Sequence, residues 1–360
     1  MVPASEANDK SFVLQGVFVW KYRRNYAMIM TKIKESEWSV NYLDIQNLEY
    51  KQLKCELCSC LEWRGENRAY VCFEKNSFEF QRNHVVYNIE ISVRKIEKCI
   101  VIKSQVPVQF ERLYLYLGDV RRYEYLFDGA FYTMSKCLAD GNEVTETIKS
   151  VELGYFQSAR SKHKIPLELS DREYKKFFLK WIKLQNEFGI INQMNLFASC
   201  INRLTADVRI SMLIECYEAL GKKLEKLHLL TVIPEQNSSR QVNCPNCGCI
   251  YSISIRGKKT LACYVYAIIE KYGKPIFNTE FRRRKSLIGH IIKTRNKVFH
   301  VNAKQRKVLK GGQCGFYAVK LDWLFRYIIW ILMGYNQDKL DDLVSKEVVK
   351  FESEFSQLIY

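Results

Sequence analysis

Short apolar and aromatic runs, several with alternating polar positions, make up much of the first 165 residues. They are SFVLQGVFVW, YAMIMTKI, AYVCFE, SFEFQ, VVYNIEISV and CIVIKS, separated by polar breaks such as KYRRN and RGEN. Alternation with a period of two, in segments rich in β-branched and aromatic residues, is typical of strands with one buried face. The pattern predicts a β-rich N-terminal domain over 1–165, built as an antiparallel sheet, a sandwich or a partly open barrel.

The spacing of apolar positions becomes helical after Pro166. Ser170 is a predicted N-cap, followed by Asp171 and Glu173 in the first turn, where the helix dipole favours acidic side chains. The apolar spacing predicts further helices at about 190–202, 204–231, 260–272, 279–302, 316–335 and 338–357.

A polar, cysteine-bearing insertion at about 232–258 interrupts these helices. The expected fold class is therefore α+β, with a β-rich domain followed by an all-helical bundle over 166–360.

The composition is that of a folded protein of two domains. Hydrophobic residues make up 48% of the 360 residues, which is enough for two separate cores. No signal peptide pattern begins the chain, and no uninterrupted apolar stretch approaches the roughly 18–20 residues that span a bilayer. We expect a soluble, cytoplasmic protein without membrane association, with thiols kept reduced.

The positive charge is concentrated in one segment of the chain. The formal net charge is +17. Between Arg256 and Lys310 the chain has sixteen Lys and Arg residues and only two acidic residues, Glu270 and Glu280. That segment alone therefore carries +14 of the total. A localised basic field indicates a surface that binds a polyanion such as nucleic acid, although a solvated helix face or a patch that meets an acidic protein has the same composition.

The stretch KTRNKVFHVN lies within this basic segment, on the helix predicted over 279–302. Each residue of a helix turns by about 100°, so Asn296 and His300 lie one turn apart on nearly the same face. Arg295 lies about 140° from His300 around the axis, so we expect the two side chains to diverge. A site that uses both is then easier to complete with a second copy of the helix, in a symmetric dimer.

The sequence TRNKVFH resembles the R-N-x-x-x-H signature of HEPN-domain ribonucleases, which lies late on a helix of an α-helical bundle. The order of segments is also similar to the ApeA-like branch of antiviral HEPN proteins. There, segments like REYKKFFLKWIKLQNEFG and DVRISMLIECYEALGKK precede the motif helix, and one like WLFRYIIWILMGY follows it. The similarity covers about 166–360 and is only architectural before that. The basic RRRK and the CPNCGC insertion depart from the family pattern.

This resemblance implies a metal-independent endoribonuclease of an anti-phage, abortive-infection defence, which cleaves cellular RNA, with tRNA as one candidate. It also implies a homodimer or a higher even-numbered oligomer, a phage-encoded trigger, attack by the 2′-hydroxyl on the adjacent phosphate, and no cofactor for catalysis. The N-terminal domain would then have a sensing or positioning role.

The predicted catalytic residues are Arg295, Asn296 and His300. An imidazole titrates near neutral pH and suits a general acid or base, so this role is assigned to His300. A guanidinium is a permanent donor fork for phosphate, which suits Arg295, while Asn296 would hold the phosphate or orient the histidine. The residues predicted to contact RNA phosphates are Arg282, Arg283, Arg284, Lys285, Lys293 and Lys297.

Two clusters, CELCSC and CPNCGC, share the spacing C-x-x-C-x-C. Two C-x-x-C turns supply four thiolates, so we predict a structural zinc site formed by Cys55, Cys58, Cys244 and Cys247. Cys60 or Cys249 can replace one ligand, and reduced cysteines without metal are the alternative.

Two other functions fit the same sequence. The first is an RNA-binding module in which the motif is inactive. The second is a HEPN toxin controlled by an antitoxin partner or by nucleotide modification, without a sensing role of its own.

Overall fold

The computed structural model describes residues 48–58, 75–94, 97–131, 133–152, 163–201, 204–235, 238–255, 257–300 and 305–359. The strands are β1 Glu49–Cys58, β2 Lys75–Arg82, β3 Val85–Arg94, β4 Glu97–Gln109, β5 Thr133–Ala139, β6 Asn142–Glu143, β7 Ser238–Asn243 and β8 Ile250–Ile255. The helices are α1 Phe110–Asp128, α2 Thr145–Glu152, α3 Asp171–Cys200, α4 Ala206–Lys226, α5 Leu261–Tyr272, α6 Arg284–Phe299, α7 Gly311–Leu332 and α8 Gln337–Ile359.

The expected α+β class is confirmed, with an antiparallel sheet in the N-terminal part and helices after it. The described strands of the large sheet are ordered β2-β3-β4-β1-β5-β6, and all their pairings are antiparallel. Alternate residues of β1, β2 and β3 are buried, for example Leu53, Cys55 and Leu57 in β1. One face of the sheet therefore packs on the core, as the period of two predicts.

The predicted strands SFEFQ, VVYNIEISV and CIVIKS correspond to β2, β3 and β4. The segments SFVLQGVFVW, YAMIMTKI and AYVCFE lie outside the described residues. β2 and β3 are joined by a tight turn in which Asn83 and His84 have φ values of 51° and 63°. Two successive residues with positive φ are the requirement of a type I′ hairpin.

The helix that follows β4 was not apparent from the sequence. Residues 110–128 (FERLYLYLGDVRRYEYLFD) contain many aromatic residues that also suit a strand, and α1 is buried on several sides, so its sequence lacks a simple apolar stripe. The buried side chains of α1 include Tyr123, whose ring contacts those of Tyr174 and Trp181 in α3 and Trp330 in α7. The rings of this aromatic cluster come from both sides of the domain boundary predicted at residues 165/166. The boundary itself stays a prediction.

Ser170 caps α3, as predicted. Its hydroxyl accepts from the Glu173 N–H and its own N–H donates to the Glu173 carboxylate at 3.0 Å, which is a capping box. The helix predicted to follow the Ser170 cap and the one predicted over 190–202 form one continuous helix, because no proline or cap interrupts them.

The motif helix is shorter than predicted. A 3₁₀ turn over Phe281–Arg283 comes first, and α6 then runs from Arg284 to Phe299. The predicted start of this helix at residue 279 is therefore wrong, and no side chain caps α6. Within the described part of the chain, no helix is long and apolar enough to cross a membrane.

Candidate active site

The side chains of the R-N-x-x-x-H motif lie at the C-terminal end of α6, where this helix packs against α4. The apolar face of α6 holds it in place through the buried side chains of Leu287, Ile288 and Ile291. His300 is the C-cap, and its N–H donates to the Asn296 carbonyl at 3.1 Å. His300 is exposed and Arg295 is half-buried, so the cluster lies at the surface of the helical region.

The three motif side chains contact one another within a single chain. Arg295 Nη1 lies 2.9 Å from Asn296 Oδ1 and 2.9 Å from His300 Nε2. A guanidinium only donates, so Nε2 is the acceptor in this hydrogen bond. Arg295 is therefore placed beside the ring nitrogen that a reacting group would use.

The expectation that Arg295 and His300 diverge is wrong. It treated both residues as part of one straight helix, whereas α6 ends at Phe299 and His300 has φ −98° and ψ 8°. That ψ departs from the helical value of about −42°, and the long arginine side chain spans the remaining arc. The geometric reason for requiring a second chain at this site is thereby removed.

A fourth side chain, that of Glu215 on α4, completes the cluster. Its carboxylate accepts from Arg295 Nε, and the side chains of Arg295 and Glu215 are 18% and 32% exposed. Glu215 is not among the residues predicted from the sequence. No pattern singles it out, since a glutamate beside an apolar stripe is ordinary in an amphipathic helix, and only the packing of α4 on α6 brings it to the motif.

Phe299 is exposed beside the motif, at 46% of its surface. Its ring centroid lies 5.7 Å from the Arg295 guanidinium carbon. The arginine is thus held by a carboxylate, an amide oxygen, an imidazole nitrogen and an aromatic face. Such a set of contacts restricts the guanidinium to a narrow range of orientations.

Most residues predicted to contact RNA lie on the surface near α6. Arg282, Arg283, Lys285 and Lys297 are exposed, and Lys293 is half-buried. Arg284 differs, because its Nη2 donates to Glu270 Oε1 at 2.9 Å and its Nη1 donates to the Phe281 carbonyl at 2.7 Å. These contacts tie α6 to α5, so Arg284 has a structural partner that the sequence did not indicate.

The cysteines proposed as zinc ligands lie in two parts of the fold. Cys55 is fully buried in the large sheet, opposite Cys137 of β5, whereas Cys244 and Cys247 lie in the turn between β7 and β8. The side chain of Cys58 and all of Cys60 are outside what the structure describes. Within the described ranges, no group of three or more His, Cys, Asp and Glu side chains is arranged to hold a metal ion. The four-cysteine zinc site stays a prediction.

Part of the helical region matches a known protein family. Residues 211–339 match the family described as Apea-like HEPN, a stretch of just over a third of the chain that runs from α4 into α8. It contains Glu215, Arg295, Asn296 and His300. The helical region thus carries a HEPN domain of the ApeA-like branch, as the sequence resemblance predicted, and HEPN domains generally belong to ribonucleases. Searches of curated proteins and of solved structures gave no match to this chain.

Proposed function

We propose that this protein is a metal-independent endoribonuclease of an anti-phage, abortive-infection defence, which cleaves cellular RNA at the cluster formed by Arg295, Asn296 and His300. The observation that carries the proposal is the contact of 2.9 Å between Arg295 Nη1 and His300 Nε2, inside the segment that matches the ApeA-like HEPN family. A hydrogen-bond donor for a phosphate, Arg295, and a proton acceptor, His300, then lie side by side at the exposed end of a helix.

In the proposed reaction, the scissile phosphate binds to the guanidinium of Arg295. This releases His300 Nε2 from the arginine, and the imidazole takes the proton of the adjacent 2′-hydroxyl. The 2′-oxygen attacks the phosphorus, the bond from phosphorus to the 5′-oxygen breaks, and the proton that His300 took from the 2′-hydroxyl is passed to the leaving 5′-oxygen, which restores the neutral imidazole. The products are a 2′,3′-cyclic phosphate and a 5′-hydroxyl, and Arg295 stabilises the charge that develops on the phosphate.

Asn296 and Glu215 have positioning roles in this proposal. The Asn296 amide oxygen accepts from Arg295 Nη1, and Glu215 accepts from Nε on the other side of the guanidinium. Together they hold the planar group so that its remaining donors face outward, towards the position of a phosphate. Because the Arg295 side chain is already fixed by these two acceptors, it loses less conformational entropy when the substrate binds.

The surrounding charge suits an RNA substrate. The two acidic residues of the basic segment are engaged within the protein, Glu270 by Arg284 and Glu280 by Lys320 Nζ at 2.8 Å. The exposed Lys297 therefore presents positive charge beside the motif, and the exposed Arg282 and Arg283 do so at the opposite end of α6, so that the surface along this helix attracts a phosphate backbone.

A homodimer is part of the proposal on the family resemblance alone, since the motif side chains already meet within one chain. The sensing role of the N-terminal region and a phage-encoded trigger also rest on that resemblance. The structural zinc predicted at Cys55, Cys58, Cys244 and Cys247 rests on the spacing of these cysteines, of which Cys244 and Cys247 lie in the β7–β8 turn.

The test uses the purified full chain with total tRNA, with and without EDTA. We expect wild type to release fragments with 2′,3′-cyclic phosphate ends in both conditions, and His300→Ala to reduce the cleavage rate by at least about 100-fold, the usual scale of a lost general base. His228→Asn is the matched control: His228 is exposed and has φ 58°, which asparagine tolerates, and it lies outside the cluster.

Three outcomes would count against the proposal. Equal cleavage by wild type and His300→Ala would remove the catalytic role of the motif. Binding of tRNA without cleavage would favour the RNA-binding module instead. Loss of cleavage on brief chelation, in a protein that thermal unfolding shows to be still folded, would show that a metal ion takes part in the reaction.

A further inference from the structure

A cavity lies at the junction of the sheet and the helices, and no residue of the motif cluster lines it. Its volume is about 300 Å³, and its walls come from the β2–β3 hairpin, the first half of α1 and the middle of α3. Pockets for small molecules generally measure roughly 300–1,000 Å³, so the cavity is suited to one compact ligand.

The charged groups of the cavity favour an anion. Three arginines line it, Arg82, Arg112 and Arg122, against the carboxylates of Glu111 and Asp119. Asp119 already accepts from Arg122 Nη2 at 2.7 Å. The three guanidinium groups outnumber the two carboxylates, and burial raises the pKa of the Glu111 carboxyl, which disfavours its charged form.

One donor in the cavity wall is incompletely used. Arg122 Nε is buried and has no hydrogen-bond acceptor among the residues that the structure describes. A buried donor without an acceptor is unfavourable, and a ligand oxygen would relieve that cost. The guanidinium fork matches the geometry of a phosphate, which offers several acceptor oxygens at once.

The rest of the lining suits a planar ring with polar edges. Tyr87 and Tyr116 have ring centroids 4.6 Å apart and form an aromatic wall. Burial raises the pKa of the Tyr116 hydroxyl, so that this group stays protonated and remains a donor. Side-chain amides from two elements, Gln109 before α1 and Gln193 on α3, add a donor and an acceptor each, the pair of groups that a nucleobase edge requires.

From this combination we infer that the cavity is a binding site for a single nucleotide, with its phosphate at Arg112 and Arg122 and its base against Tyr116 and the glutamines. The site is separate from the proposed nuclease cluster, and the inference does not depend on the proposed ribonuclease function. It assigns a ligand class to the N-terminal half of the molecule, at a place where α3 of the helical region also contributes.

The test is calorimetric titration of the full chain with nucleoside 5′-mono- and triphosphates, each at up to roughly 1 mM. Inorganic phosphate and the parent nucleosides are separate arms. We expect at least one nucleotide to bind, and its phosphate or nucleoside alone to bind at least about 10-fold more weakly, because each part makes only half of the contacts.

The variant Arg112→Glu reverses an exposed charge on the cavity rim and should weaken nucleotide binding by at least about 10-fold. Lys350→Glu makes the same charge change on α8, at an exposed position outside the cavity, and should leave binding within about 2-fold. Thermal unfolding of both variants checks that each remains folded.

The inference is overturned if no nucleotide binds, if inorganic phosphate binds as tightly as the nucleotides, or if both variants bind alike. A further arm uses a short single-stranded RNA. Loss of RNA binding in Arg112→Glu, with no binding of mononucleotides, would assign the arginines to an RNA surface instead.

Discussion

The guanidinium of Arg295 has three side-chain partners. They are Glu215 on α4, the Asn296 amide within its own helix, and the His300 ring at the helix end. Each partner constrains the orientation of the planar group, and the partners come from two elements. At the scale of the residue, the site therefore depends on the packing of α4 against α6 as much as on the motif itself.

Glu215 provides a test of this dependence. We expect Glu215→Ala to lower kcat for RNA cleavage by about 10- to 100-fold, because the guanidinium loses the partner that orients it and small misplacements are costly. KM should not rise, since removal of a carboxylate near the phosphate position weakens repulsion of the substrate. Steady-state kinetics on a defined RNA separate the two parameters.

Two further variants distinguish positioning from general stability. Glu215→Gln retains an acceptor for Arg295 Nε and should recover most of kcat. Glu218→Ala removes a carboxylate on the same helix that pairs with Lys222 at 2.5 Å, and it should behave as wild type. A fall in kcat that is equal in Glu215→Ala and Glu218→Ala would contradict the positioning role.

At the scale of the element, the start of α3 shows how a local signal in the sequence fixes a helix end. Ser170 and Glu173 satisfy each other's backbone N–H groups, and the hydrogen bonds from Ser170 lower the pKa of the Glu173 carboxyl. Comparable caps contribute about 1 kcal/mol. This helix also lines the cavity and packs against α4, so its start is a fixed point for both candidate sites.

We expect Ser170→Ala to lower the free energy of unfolding by about 1 kcal/mol at pH 7. A carboxyl whose pKa is lowered by folding stabilises the protein above its unfolded pKa of about 4.3, and this contribution is lost as the pH falls through the folded pKa. The difference between variant and wild type should therefore shrink at acidic pH. Urea unfolding at pH 7 and at about pH 3 measures both values.

Ser286→Ala is the matched control, since Ser286 is an exposed serine within α6. It should change the stability by less than about 0.5 kcal/mol at either pH. A difference for Ser170→Ala that stays constant with pH would show that Glu173 takes no part in the cap.

At the scale of the whole molecule, a buried polar network joins the N-terminal region to the helical bundle. Asp322 on α7 accepts from the Tyr125 hydroxyl of α1, from Asn195 Nδ2 at 3.1 Å and from Ser199 Oγ at 2.8 Å, the last two on α3. Its other oxygen accepts from Arg326 Nε at 2.8 Å, and Arg326 is fully buried. Three helices are thus held in one relative arrangement.

The variant Asp322→Ala should lower the free energy of unfolding by about 3–5 kcal/mol, because it leaves the buried Arg326 charge without its carboxylate. The exposed pair of Asp342 and Lys346, 2.7 Å apart on α8, supplies the control. Asp342→Ala should cost no more than about 0.5 kcal/mol. Urea unfolding of both variants compares the two, and equal small losses would show that the network is dispensable.

Much of the fold followed from local patterns. Strands β2, β3 and β4, the cap at Ser170 and the helical spacing of the C-terminal half were predictable, because each depends on residues that are close in sequence. The helix α1 was not, since burial on several sides removes the apolar stripe by which a helix is identified. The early end of α6 was also missed, because no side-chain signal in the sequence marks it.

The sequence by itself determined the α+β class, the position of the R-N-x-x-x-H motif near the end of a helix, and the basic segment around it, since spacing and charge are properties of the chain. Only the tertiary structure decided that Arg295 and His300 meet within one chain, that Glu215 joins them, and that three arginines surround a cavity between sheet and helices. These are contacts between residues distant in sequence or beyond a helix end, and only the packed chain brings them within hydrogen-bonding distance.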